Sequence, residues 1–402
     1  MATDVGQPIP DRLTLEAERI AVGGDAIGHA PDGRVVFVSG LLPGERATVR
    51  MRSQRARHGF ADVESITVPS SDRRDPPCPH VAAGCGGCDW MHVVLHRQRQ
   101  LRREIVADAF SHISGLSVPE ITAVELPETG YRTTLRVATG SAGAGFRARR
   151  SDRLVPVDSC AVAHPWAEEL LVEGDFGEAD EAMIRVGANT GDRLVLASPT
   201  AEGVRMPEGV MVVGRDELDG GRRAWIHEEI DGRRYRISAD SFFQASAAGA
   251  TALVGVVTDA LGDGGGTVLD AYAGVGLFSK AVLDSHTVIA VERSSSAVAD
   301  ARINLGPDAR VIRTAFERWR PRRVDVAVAD PARRGLGKAG VARLLSAEPA
   351  RIVLISCDAA AAARDVGLLV QRGSTVRSMT LVDQFPGTSH VELVTVLDGP
   401  GS

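Results

Sequence analysis

Cys357 closes an apolar run, RIVLIS, and is followed by an aspartate. A thiol at the carboxyl end of a buried strand lies on the edge where sheets of this kind hold ligands. It is either a structural side chain or a nucleophile, because a thiolate adds to electron-poor carbon. Downstream, DQFPGTSHVE brings Asp383, His390 and Glu392 close together. A turn before a last strand accounts for the proline and glycine there, but not for the clustered acids and imidazole. A thiol and a carboxylate can bond to a substrate carbon and later remove a proton from it. A second set of thiols, Cys78, Cys85 and Cys88 with Cys160 far downstream, has the spacing C-x6-C-x2-C plus one. Disulfides are disfavoured in a cytosolic chain, and zinc ribbons use two CxxC pairs where this chain has one. The spacing leaves an iron-sulfur site, zinc and free thiols open.

Ahead of Cys357, the run ending at Asp270 passes into AYAGVGLFS, where Gly274 and Gly276 permit a tight turn into a helix. Such a turn serves helix packing as readily as close approach to a nucleotide-like ligand. Glu292 ends the next apolar run about 20 residues on, where a carboxylate can accept both hydroxyls of a ribose. The third glycine of the dinucleotide fingerprint is absent, and the segment resembles motif I of class I S-adenosylmethionine (SAM) methyltransferases, which favours SAM over NAD. Asp330 ends a further strand in ADPARRG. Amino-group methyltransferases follow their Asn or Asp with two prolines and an aromatic, and cytosine-C5 RNA methyltransferases place a cysteine after the proline. Position 332 is alanine, which disfavours both. Carbon methylation of uracil needs a thiolate at C6 to make C5 nucleophilic, and then a base to take the C5 proton.

SFFQ at 241–244, LDAYAGVGLFS, DPARRG, SCD and DQFPGTSHVE, in that order, resemble the RNA 5-methyluridine methyltransferases that modify tRNA or 23S rRNA, and the resemblance covers essentially the whole chain. It implies that Gln244, Tyr272, Glu292 and Asp330 contact SAM at the Gly274–Gly276 turn, that Cys357 is the nucleophile and that Glu392 is the base. Ala315 stands where relatives often offer a polar side chain near the adenine. Ribosomal members carry a four-cysteine 4Fe-4S cluster, which assigns Cys78, Cys85, Cys88 and Cys160 to iron. Their first gap often has five residues where this chain has six. The resemblance also makes the N-terminal segment a TRAM domain, an OB-like RNA-binding module. The implied partner is structured RNA, most readily 23S rRNA, with tRNA the alternative. A protein keeping the fold without the activity is the non-enzymatic alternative.

These residues need elements to position them. From Leu13 to about Val68, short alternating runs separated by glycine turns have the pattern of a small antiparallel barrel, residues 1–66. Residues 67–238 form a central α+β region. Within it Val94, Leu101, Ile105 and Ala109 fall at helical spacing, in a helix over 91–115 that can pack on the catalytic domain. Residues 239–402 alternate apolar strands with helices, the pattern of a doubly wound α/β methyltransferase domain. Phe242 and Phe243 are placed either to stack on a base or to fill the core.

The chain has 402 residues, which at roughly 100 to 200 per domain gives two or three domains. With 44% hydrophobic and 24% charged residues it can bury real cores, so wholesale disorder is excluded. No run is long enough to span a membrane, and the N-terminus lacks a secretory pattern, so the expectation is a cytoplasmic monomer. The net charge of −6 opposes a nucleic-acid partner only if it is evenly spread. Arginines 46, 50, 52, 55 and 57 form one basic cluster and 97, 99, 102 and 103 a second, each readable as a phosphate grip or as a solvated face.

Overall fold

The structure is a computed structural model that describes residues 9–141, 143–262 and 264–401. In the N-terminal strands every second residue is buried: Leu13 and Leu15, Val36 and Val38, Ala47 and Val49. A period of two gives each strand one apolar side, and joining them buries that side. Six strands form one sheet, in the order Arg12–Glu16, Arg46–Gln54, His58–Val68, Val35–Ser39, Ala26–His29 and Arg19–Ile20. Register shifts between Arg46/Ala47, Thr48/Val49 and Met51/Ser53 mark bulges that bend it. The antiparallel expectation fails at one pair. His58–Val68 turns back beside Arg46–Gln54 and inserts next to Val35–Ser39, to which it runs parallel.

Glu45 and Arg73 tie this sheet to the chain that follows. Glu45 is fully buried and accepts from the Arg73 guanidinium at 2.6 and 2.7 Å and from the amides of Ser70 and Leu42 at 3.0 and 2.8 Å. Burial alone would raise its pKa. The guanidinium and the two amides outweigh burial and hold it below the ordinary 4.5. A carboxylate lowered in the folded state contributes stability that is present above 4.5 and lost as pH falls through the folded value. Glu45→Gln is expected to cost about 3 kcal/mol, the low end for a broken buried pair because Arg73 keeps some exposure. Denaturant unfolding at pH 7 and pH 4 checks both size and sign, since the gap between wild type and variant must narrow at the lower pH.

Residues 134–214 build a second six-stranded sheet, covered by the helix Pro165–Glu173. The third sheet has eight strands, in the order Ala309–Arg313, Thr287–Glu292, Thr267–Ala271, Val326–Ala329, Arg351–Ser356, Leu393–Asp398, Thr375–Val382 and Ile121–Val124. The first five pair in parallel, and Leu393–Asp398 enters antiparallel beside Arg351–Ser356. The inner strands are near-continuous apolar runs buried on both faces, as helices on each side require, while the edge strand Ala309–Arg313 is only partly buried. From Thr267–Ala271 the chain first winds outward through two strands, then returns to place Val326–Ala329 on the other flank. The crevice at this reversal is where such sheets bind ligands.

Two pieces from early in the chain join this layer. Ile121–Val124 adds the last strand, parallel to Thr375–Val382. The helix Leu95–Ala109 buries Leu101, Ile105, Val106 and Ala109 in the core that also holds Val366 and Leu369 of the helix Ala359–Val370. Among the described residues no helix is long and apolar enough to cross a membrane.

Candidate active site

The glycine turn opens at the carboxyl end of Thr267–Ala271. Tyr272, Gly274 and Gly276 all have positive φ, at 64°, 56° and 89°. A Cβ on Gly276 would lie 3.2 Å from Leu305, so glycine there serves both the backbone conformation and a close approach. Glu292 receives the Gly274 amide at 3.0 Å on one oxygen and the Arg293 and Ser294 amides, each at 2.7 Å, on the other. Its carboxylate is thereby fixed beside the turn. The Tyr272 ring leans on Phe316, and its hydroxyl donates to Glu317 at 2.8 Å.

From the foot of the turn into the crevice three carboxyl groups follow one another. Asp270 is buried and accepts from the Ser279 amide and hydroxyl on one oxygen, while the other is unpartnered. Burial pushes it up to about 6. Asp330 follows the neighbouring strand and is pushed up to about 7, by burial first and Asp270 second. Glu392 is raised well above the ordinary range by burial and then by Asp330. Gln244 Nε2 reaches Asp330 at 3.4 Å, and Gln384 Nε2 reaches the Gln244 carbonyl at the same distance, both weak contacts.

Cys357 completes the group. Burial raises its thiol to about 11, Glu392 and Asp330 add to the rise, and Arg333 opposes it. Alkylation of Cys357 in the free protein is therefore expected to accelerate with pH through the alkaline range. Removing a negative neighbour favours the thiolate, so Glu392→Gln and Asp330→Asn shift that profile to lower pH, and Arg333→Met shifts it higher. Peptide-resolved mass spectrometry after brief iodoacetamide treatment reads the rate at this thiol alone.

The structure thus gathers Gln244, Asp330, Cys357 and Glu392 on one side of the crevice and Tyr272, Gly274, Gly276 and Glu292 at the turn. Asp383 faces away, bound by Arg99 at 2.7 Å and Arg102 at 2.8 Å. The His390 ring lies 3.1 Å from Arg333. Phe243 is buried near Tyr235, while Phe242 is 70% exposed. Sequence reasoning missed Asp270 and Arg333. A carboxylate inside the apolar run TVLDA and an arginine two residues past the proline of DPARRG were the available signals.

The second arginine cluster is corrected for Arg99 and Arg102. Arg99 pairs with Asp383 and Glu125, and Arg102, 3% exposed, pairs with Asp383, so these two charges tie the helix to the rest of the chain, while Arg97 pairs with Glu104 on its own helix. In the first cluster Arg46, Arg50 and Arg52 lie against Glu16, Glu64 and Asp62. These exposed pairs are weak and exchangeable. Arg55 and Arg57 are exposed in the turn before His58.

The four remaining thiols are free, and Cys78 and Cys88 pack into the small core that contains Cys160. Burial and the neighbouring Cys160, Cys85 and Cys78 push Cys88 up to about 12. Among the described residues no three His, Cys, Asp or Glu side chains are arranged to hold a metal ion. The expected ligand set is corrected to that extent: the thiols neighbour one another without converging on a single-ion centre.

An eight-stranded sheet whose reversal point carries a glycine turn, a carboxylate fixed beside that turn and an acidic crevice has the architecture of a SAM-dependent methyltransferase fold. No protein-family model matches the chain. A Streptomyces avermitilis protein named an uncharacterized RNA methyltransferase is 35% identical over 96% of this chain and 98% of its own length. A similarly named protein of Streptomyces coelicolor is 34% identical over 98% of this chain and 96% of its own length. The crystal structure of Pyrococcus abyssi tRNA (uracil-54, C5)-methyltransferase with S-adenosyl-L-homocysteine shares the fold, with a TM-score of 0.72 and 22% identity over 96% of this chain and 100% of that one. The chain belongs to this family of RNA methyltransferases.

Proposed function

We propose that this RNA methyltransferase moves a methyl group from SAM to C5 of a uridine in structured RNA. The observation that carries the reading is the meeting of Cys357 and Glu392 beside Asp330 in one buried crevice next to the glycine turn. Tyr272, Gly274, Gly276 and Glu292 hold the cofactor from the turn, with Gln244 and Asp330 closing the other side. The Cys357 thiolate bonds to C6, and the electron pair displaced from the C5–C6 double bond becomes an enolate. C5 then takes the methyl group, leaving S-adenosylhomocysteine. Glu392 removes the C5 proton, the double bond re-forms and the C6–S bond breaks. A carboxyl group whose pKa lies well above the ordinary range is a stronger base for that carbon-bound proton.

The rRNA branch is favoured by the N-terminal sheet, which keeps Arg55 and Arg57 exposed, and by the four-cysteine region. An all-thiol donor set fits an iron-sulfur cluster, whose corners bind thiolates farther apart than a single ion does. Cys78, Cys85, Cys88 and Cys160 would hold it, and it would supply local structure, since methyl transfer moves no net electron. The supporting neighbour of known substrate acts on tRNA, which keeps tRNA as the second reading. Mapping 5-methyluridine in 23S rRNA and tRNA from cells with and without this protein tests the proposal. The expected result is loss at a discrete position of 23S rRNA. Loss confined to tRNA selects the second reading, and unchanged 5-methyluridine in both overturns uridine-C5 methylation.

A further inference from the structure

The loop 383–391, which leads into Glu392, is held from outside the catalytic domain's own helices. Arg102 donates to the carbonyls of Phe385, Thr388 and His390 at 3.0, 2.7 and 2.9 Å, and to the Asp383 carboxylate at 2.8 Å. Gln98, one turn earlier on the same helix, accepts the Gly387 amide at 2.8 Å. The Trp90 amide donates to the Gly387 carbonyl at 2.8 Å, and the Tyr131 hydroxyl to that of Pro386 at 2.9 Å. Asp89 accepts the Ser389 amide and hydroxyl at 2.9 and 2.7 Å. Five carbonyls between Phe385 and His390 are thus received by donors from residues 90–131. Cys357, by contrast, is carried by Arg351–Ser356, an inner strand flanked on both sides by ladder partners.

We propose that Arg102 is a positioning residue for Glu392: its buried guanidinium fixes the loop that aims the carboxylate at the C5 proton. Its loss slows product release while sparing thiol addition and methyl transfer. The inference rests on the uridine-C5 reading above. The reasoning is geometric. Glu392 is anchored on its far side by the strand Leu393–Asp398, and on its near side by a loop that has few regular backbone ladder bonds of its own. One buried cation satisfying three carbonyls and a carboxylate replaces that ladder. A flat, forked guanidinium serves several acceptors at once, whereas an ammonium offers three donors from a single point.

The test uses full-length protein, bulk RNA from cells lacking it, and SAM carrying a labelled methyl group. Arg102→Met is expected to accumulate a denaturant-resistant protein–RNA adduct that already contains the label. Its single-turnover release should be roughly 100-fold slower than wild type, the scale expected for misplacing a reacting group by about 1 Å. SAM affinity should be unchanged, and Arg102→Lys should recover part of the release rate. A general packing defect would instead depress adduct formation and release together, and that result overturns the proposal. Ser389→Ala removes only the hydroxyl donated to Asp89 and should slow release by a smaller factor. Wild-type release in both Arg102→Lys and Ser389→Ala overturns the proposal even where Arg102→Met does not fold. Glu392→Gln run alongside separates the two levels of inference. An adduct in Glu392→Gln but none in Arg102→Met removes only the role of Arg102, and no adduct in either removes the uridine-C5 reading and that role together.

Discussion

Glu392→Gln, supplied with SAM and RNA, is expected to accumulate a denaturant-resistant protein–RNA adduct already carrying the methyl group, whereas Cys357→Ala forms no adduct and transfers no methyl group. In the proposed mechanism the two side chains act on opposite sides of one covalent intermediate. The thiolate makes C5 nucleophilic, so nothing precedes it, and the carboxylate is needed only after the methyl group has arrived. Glutamine keeps the shape of Glu392 and removes its basicity, which should slow release by about 100- to 10,000-fold, the usual worth of a positioned general base. Methyl transfer in Glu392→Gln should persist for a single turnover. Loss of one negative neighbour also favours the Cys357 thiolate, so addition itself should not be the slow step. Denaturing gel electrophoresis of labelled product separates adduct from free RNA. Methylated uridine formed by Cys357→Ala, or label on cytosine or on an exocyclic amine, would sink the mechanism.

What could be read in advance follows from how local each signal is. Asp330 and Cys357 stand where apolar runs end and polar loops begin, and parallel strands place every such junction on one edge of the sheet. Gly274 and Gly276 announce a backbone conformation that other residues rarely adopt. Arg102 could not be read this way. In sequence it belongs to a basic cluster with Arg97, Arg99 and Arg103, indistinguishable from a phosphate-binding face. Its partners in the 383–391 loop lie more than 280 positions away, and only the docking of Leu95–Ala109 on the catalytic core brings them together. Asp383 is illegible for the same reason: it shares a segment with Glu392, but its carboxylate is taken by Arg99 and Arg102 of that helix. Ile121–Val124 is too short to declare which sheet it extends. Its placement is decided by the free edge that Thr375–Val382 presents, a property of the assembled sheet.

Anaerobically purified protein is expected to be brown and to contain about four irons and four sulfides per chain, and Cys160→Ser to lose most of both. The chain has five cysteines. Cys357 sits in the crevice, and the other four are free thiols in one region, with Cys160 buried and Cys78 and Cys88 packed against its core. A lone buried thiol is an ordinary packing residue, but Cys160 with Cys78 and Cys88 packed against it and Cys85 nearby is an unusual way to fill a small core. Because Cys160 is remote in sequence, it closes the region by joining the cysteine loop to the sheet formed by residues 134–214. Serine at that position keeps nearly the same size and removes the soft ligand, so packing is perturbed little while iron affinity falls. SAM binding should survive in Cys160→Ser, since the proposed cofactor residues Tyr272, Gly274 and Glu292 lie on the separate eight-stranded layer. Stoichiometric zinc with no iron or sulfide in the anaerobic protein would overturn the cluster assignment. Full iron retention in Cys160→Ser would remove this residue from the ligand set and leave the three-cysteine loop to account for the metal.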